Sequence, residues 1–249
     1  MNGRRRLMTL AVGAVALAGC GTATANRDVP TAANVKASTS ASTLAPAASQ
    51  GAVLFHDDFA DDRNGWGIVD DPVGGKTSYA RGDYVWNFTG TMGHVIPSKL
   101  GDQYDRGELT MRDVAVRADL TIVSGGGVAG VSCRETKDTD AHYQWYEFVA
   151  RDSYAAIRQS DDKGNIEVLA KTDKVRLPRG ESFRVEGRCV DDGRKTTHLT
   201  MRIGGADVLD VQRPAQLGNG VPSLQAWTHP DHALMEIRWH DFTIGAVSG

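Results

Sequence analysis

The residues of this chain with chemical potential are aromatics, carboxylates and thiols at spacings that favour recognition. Tyr143, Trp145 and Glu147 alternate along the sequence, interleaved with His142, Gln144, Tyr146 and Phe148. Alternate residues of an extended strand share a face, so one set must turn inward and the other outward. The pattern alone leaves open which does which. An aromatic face carrying a few fixed polar groups suits a flat sugar ring or a peptide chain. Tyr143, Trp145 and Glu147, with Arg134 nearby, are therefore the candidate ligand-binding residues. The competing reading packs these aromatics into a core or against a neighbouring loop.

Two further clusters could hold a metal. Asp57, Asp58, Asp61, Asp62 and Asn64 place five oxygen donors within eight residues, the donor type that calcium takes. Their spacing is not that of an EF-hand loop, and a solvated turn is the preferred reading. His229, Asp231 and His232 could in principle bind zinc, but their spacing is irregular. The sequence calls for no cofactor, a structural calcium at this segment being the one alternative. The sequence contains no nucleophile elbow, phosphate-binding loop, dinucleotide-binding glycine pattern or HExxH helix.

The first twenty residues carry an address. Arg4-Arg5-Arg6 precedes an apolar run from Leu7 to Leu17, then Ala18-Gly19-Cys20. Basic cluster, short apolar run and small-residue site are the parts of a secretory signal. A bilayer-spanning helix needs about 20 apolar residues, and this run is shorter and broken by Gly13. Leu17-Ala18-Gly19-Cys20 resembles a bacterial lipobox. That resemblance implies acylation of Cys20 and attachment at the extracytoplasmic face of the cell membrane, by the general or the twin-arginine route. With Cys20 taken by lipid, Cys133 and Cys189 remain. In an oxidising compartment they are expected to pair as a disulfide, two separate buried thiols being the alternative.

Residues 20–51 are rich in Ala, Ser and Thr and contain no aromatic residue, so they cannot offset the entropy of ordering. They read as a tether spanning roughly 30 Å by random-coil scaling. The formal charge is −3, and removal of the three leader arginines leaves 25 basic against 31 acidic residues, or −6. A mildly acidic chain without a basic, aromatic-interleaved stretch gives no footing for nucleic acid.

The remaining residues, 52–249, show period-two alternation. Val116, Ala118, Leu120 and Ile122 alternate with Arg117, Asp119 and Thr121. Phe183, Val185, Gly187 and Cys189 do so with Arg184, Glu186 and Arg188, and Leu199, Met201 and Ile203 with Thr200 and Arg202. Glycine- and aspartate-rich turns separate these runs, and no helical stripe persists for three turns. The expectation is an all-β antiparallel two-sheet sandwich. Met235, Ile237 and Trp239 share one phase while Phe242 and Ile244 share the other, which predicts a bulge near His240-Asp241.

Several motifs, in order, resemble a laminin-G-like, concanavalin A-like jelly roll of the exo-inulinase and 3-keto-disaccharide hydrolase type. They are Phe55-His56-Asp57-Asp58-Phe59 with Asn64-Gly65-Trp66; Gly82-Asp83-Tyr84-Val85-Trp86; Ala129 to Arg134 with His142 to Phe148; and Trp239-His240-Asp241-Phe242-Thr243-Ile244. The resemblance implies a jelly roll over residues 52–246 and a Cys133–Cys189 bridge between core strands. Glycosidases of that class carry acids on alternate residues of one strand, flanking a bond at about 5 Å. No such triplet occurs here: Glu135 precedes a polar turn and Glu147 stands between aromatics. The sequence therefore reads as a non-enzymatic, membrane-anchored lipoprotein that binds a glycan, envelope component or protein partner. The alternatives are a glycoside-processing enzyme and a structural or sensory ectodomain.

Overall fold

The alternating segments form strands wherever one phase is apolar. A computed structural model describes residues 51–247, apart from 72–74, 89–91, 109–110, 138–142, 162, 194 and 229–233. The proposed lipid site Cys20, the leader and most of the tether lie outside the described residues, as does the His229–His232 cluster. In chain order the strands are β1 (Val53–Asp57), β2 (Asp70–Asp71), β3 (Gly75–Ala80), β4 (Asp83–Phe88), β5 (Met92–Val95), β6 (Val114–Ser124), β7 (Val128–Lys137) and β8 (Tyr143–Arg151). They continue as β9 (Tyr154–Ser160), β10 (Ile166–Thr172), β11 (Phe183–Asp191), β12 (Thr196–Ile203), β13 (Ala206–Pro214), β14 (Val221–Trp227) and β15 (Met235–Ala246). One eight-residue helix, α1 (Ser98–Asp105), follows Pro97 and buries Leu100. It is too short to leave a three-turn stripe in the sequence.

Two antiparallel sheets result. The larger runs β13-β12-β11-β6-β15-β4-β3-β2, with β1 also on β15; the smaller runs β10-β9-β8-β7-β14-β5. The expected bulge is present. The pairing of β15 with β6 shifts between Trp239 and Asp241, and Ile237, Trp239, Phe242 and Ile244 are all fully buried. One extra residue restores the inward phase. It also divides one edge of β15 between two partners: β4 takes Met235–Trp239, and β1 takes the stretch from Phe242 to Gly245.

The core lies between the sheets. Gly187 of β11 occupies an inward-facing position, and a Cβ there would meet the Phe148 ring at 2.1 Å. The missing side chain is what lets that ring from the smaller sheet enter. Cys133 of β7 and Cys189 of β11 are disulfide-bonded, with Cα atoms 6.6 Å apart and a sequence separation of 56. The bridge ties one sheet to the other across the core. At one end Phe59, Trp66, Tyr84, Trp86 and Trp239 form a chain of ring contacts with centroids 5.3–6.1 Å apart.

Candidate functional site

Strand β8 resolves the ambiguity of its alternating aromatics. Tyr146, Phe148 and Ala150 belong to the core between the sheets. Trp145, Glu147 and Val149 point to the opposite face of the smaller sheet, where Val149 packs with Val128 and Ala156 in a separate apolar cluster that Tyr154 and Trp227 join. Pairing registers extend this face across four strands. Arg158 of β9 lies opposite Glu147, Glu147 opposite Ser132 of β7, and Ser132 opposite Ser223 of β14.

Glu147 is 0% exposed and carries the strongest electrostatics of the face. Its Oε1 is 2.6 Å from Nε of Arg158, and its Oε2 accepts a 2.8 Å hydrogen bond from the Trp227 indole N–H. Burial raises its carboxyl above the ordinary value of 4.5, outweighing the opposing pull of Arg158 and Trp227. The Arg158 guanidinium lies 5.0 Å from the centroid of the Trp227 ring, a cation–π arrangement that fixes its plane. Trp145 contacts the same indole, with centroids 6.5 Å apart. Tyr143, in the same phase, is half-buried at the strand's start.

A second carboxylate reaches this neighbourhood from β7. Glu135 Oε2 accepts hydrogen bonds from Ser223 Oγ at 2.6 Å and from Gln225 Nε2 at 3.3 Å. Ser223 Oγ also lies 2.6 Å from Ser132 Oγ and accepts from Gln225 Nε2 at 2.8 Å. Glu135 can do this because β7 bulges. Three residues of β7 span two on each neighbouring strand between Ser132 or Cys133 and the next pair. Arg134, at φ +56°, is the extra residue.

The same bulge removes Arg134 from the candidate set. Its side chain is 0% exposed and turns toward the larger sheet. It donates to the carbonyls of Arg112 and Leu217 and to Thr197 Oγ1, and it pairs with Asp191 at 2.8 Å. Arg134 is thus an internal tie rather than a ligand contact, because an inserted residue reverses the phase that simple alternation assigns.

The oxygen-rich segment uses several of its carboxylates locally. Asp57 turns inward, accepting from the Trp66 indole N–H at 2.7 Å and from the Phe59 amide at 2.8 Å. Asp58 caps the Ala60 amide, and Asp61 takes the amide and guanidinium of Arg63. Asp62 contributes its carbonyl to the Gly65 amide, and Asn64 is buried. Among the described residues no three His, Cys, Asp or Glu side chains come within reach of a shared ion. Asp58 and Asp61 make the side-chain contacts of turn geometry, and Asp57 is turned to the core.

Beside the Glu147 cluster opens a groove of about 250 Å³, lined by Gly127, Val128, Arg151, Tyr154, Arg158 and Trp227 among others. Arg151 donates to the Gly126 carbonyl at 2.5 Å, and its guanidinium sits 5.8 Å from the Tyr154 centroid. Glu135, Ser132, Ser223, Gln225, Arg158 and Trp227 were not anticipated. Ser223, Gln225 and Trp227 do alternate, as do Tyr154, Ala156 and Arg158. That signal gives each strand a face but does not say which strands are neighbours.

No protein-family model matches the chain, and no curated protein does. Solved structures match its fold. A Bacillus subtilis protein of unknown function with a galectin-like fold superposes at TM-score 0.58 and 13% identity, covering 80% of this chain and 97% of that one. Carbohydrate-binding module CBM66 from Bacillus subtilis matches at TM-score 0.52 and 14% identity, over 74% and 96%. The β-glucanase of Bacillus licheniformis matches at TM-score 0.52 and 9% identity, over 80% and 100%. The chain therefore has a galectin- and concanavalin-like β-sandwich jelly-roll fold. The expectation that it is not an enzyme is overturned on two counts. Glycoside hydrolases share this fold with carbohydrate-binding modules, and a pair of acids need not lie along one strand: Glu135 of β7 and Glu147 of β8 sit on neighbouring strands.

Proposed function

We propose that this chain is an exported lipoprotein, anchored through Cys20 at the extracytoplasmic membrane face, whose jelly roll binds a glycan of the cell envelope. The binding region is the groove edged by Trp227, Tyr154 and Arg158, with Trp145 and Tyr143 further along the same face. The observation that carries this reading is the Trp227–Glu147–Arg158 assembly. An indole is held at a groove by a buried carboxylate through its N–H and by a guanidinium over its ring. Aromatic surface with few, fixed polar partners is the chemistry of sugar recognition. Jelly-roll neighbours that include a carbohydrate-binding module support the same class of ligand, although fold alone does not assign function.

A second reading is a glycoside-processing enzyme, favoured by one observation. Glu135 and Glu147 come from adjacent strands, and a pair of carboxylates is what glycoside hydrolysis uses. One experiment tests both readings. The protein is applied to an array of envelope and plant-type glycans, and bound sugars are recovered for product analysis. Retention with intact sugars supports binding. Shortened products with newly freed hemiacetal ends support the enzyme. No retention and no turnover would remove both.

A further inference from the structure

The groove beside Trp227 has a chemical bias. Two guanidiniums line it, from Arg151 and Arg158, and among the described lining residues there is no Asp or Glu. Glu147, beneath, accounts for one positive charge through Arg158. Arg151 makes its hydrogen bond to a backbone carbonyl and so keeps its full charge at the groove. Each guanidinium is placed near an aromatic ring, Arg151 by Tyr154 and Arg158 by Trp227. That stacking fixes the planes and leaves N–H edges for a planar anion.

The two cations are also spaced. Arg151 pairs with Tyr154, and Arg158 lies four residues further along β9, so their backbones are about 13 Å apart along the strand axis. That is too far for one carboxylate to bridge at the backbone level. It suits an oligomer with charges on more than one unit.

Resting on the glycan reading above, we infer that the groove selects an anionic glycan, carrying uronate carboxylates or sulfate esters, over its neutral counterpart. Full-length protein is titrated with an oligogalacturonate, the same oligomer after carboxyl reduction, and a sulfated derivative of the reduced oligomer. At least one charged oligomer should bind about tenfold or more tighter than the neutral one, since charge-assisted fork contacts are among the strong hydrogen bonds. Preference for the carboxylate or for the sulfate form identifies the anion. Arg151→Gln should erase most of the preference. Because Arg158→Gln alone strands buried Glu147, Arg158 is tested as the Arg158→Gln/Glu147→Gln pair. Equal affinity for charged and neutral oligomers overturns the inference and leaves glycan binding standing. Charged-oligomer binding that ignores both sets of substitutions also overturns it, because the anion then sits elsewhere. No binding of any oligomer overturns it too; a neutral-glycan array then decides separately whether the glycan reading falls with it.

Discussion

The Trp227 indole N–H donates to the Glu147 carboxylate at 2.8 Å although the two residues belong to strands separated by β7. Between them on β7 lies Gly130, opposite Gln225 and Val149, where a Cβ would meet the Phe148 carbonyl oxygen at 1.9 Å. Glu147 thereby ties β8, β9 and β14 through Trp227 and Arg158, and it does so at the groove assigned to ligand.

Glu147 makes stability depend on pH in a defined direction. Its carboxyl is raised from 4.5 by burial, so the folded chain holds this proton more tightly than the unfolded chain. The contribution is fully present below the unfolded value and is lost as pH rises through the raised one, at about 1.4 kcal/mol per pH unit between them. Denaturant melts of wild type and Glu147→Gln across mildly acid to neutral pH should show wild type losing ground as pH rises. Glu186, held low by Arg188 and Arg117, and Asp191, held low by Thr197, Arg112 and Arg134, lose stability in acid in both proteins and cancel. A pH-independent difference would contradict the assignment.

Arg134 should matter for folding and not for ligand. Arg134→Ala leaves Asp191, with only 5% of its side chain exposed, without its inner cation, and loss of one partner of a buried pair costs about 3–5 kcal/mol. Chemical denaturation should show that loss. A variant folding with wild-type stability would refute the internal-tie role.

The intersheet disulfide closes a loop of 56 residues, worth roughly 4 kcal/mol by the chain-entropy relation. Cys133→Ala/Cys189→Ala should lower the unfolding midpoint accordingly. Unreduced protein should show no alkylatable thiol at either position by mass spectrometry.

Cys20 is expected to carry lipid. Cells fed a clickable fatty acid should label wild type and leave Cys20→Ser unlabelled, with the variant released from the membrane fraction. Equal labelling of both would remove the anchor from the account.

Much of the architecture was legible because strand alternation is local. Val116, Ala118 and Leu120 announced their inward phase, and the phase change from Trp239 to Phe242 announced a bulge. Arg134 was misplaced for the complementary reason. Its bulge lies in a strand whose flanking residues, Cys133 and Glu135, give no phase break that reads unambiguously. The oxygen-rich segment looked like a cation loop because Asx turns and ion sites draw on the same side chains. Trp227 and Arg158 were invisible as partners of Glu147, since their meeting depends on strand order, which sequence periodicity does not encode.

The most direct test is glycan binding by wild type against Trp227→Ala, measured by array and calorimetry on full-length protein. The account predicts that wild type retains an envelope-type glycan and that Trp227→Ala, still folded by circular dichroism, loses at least tenfold in affinity, the effect of removing an aromatic anchor worth about 2 kcal/mol. Unchanged affinity in the folded variant would contradict the placement of the site on this face.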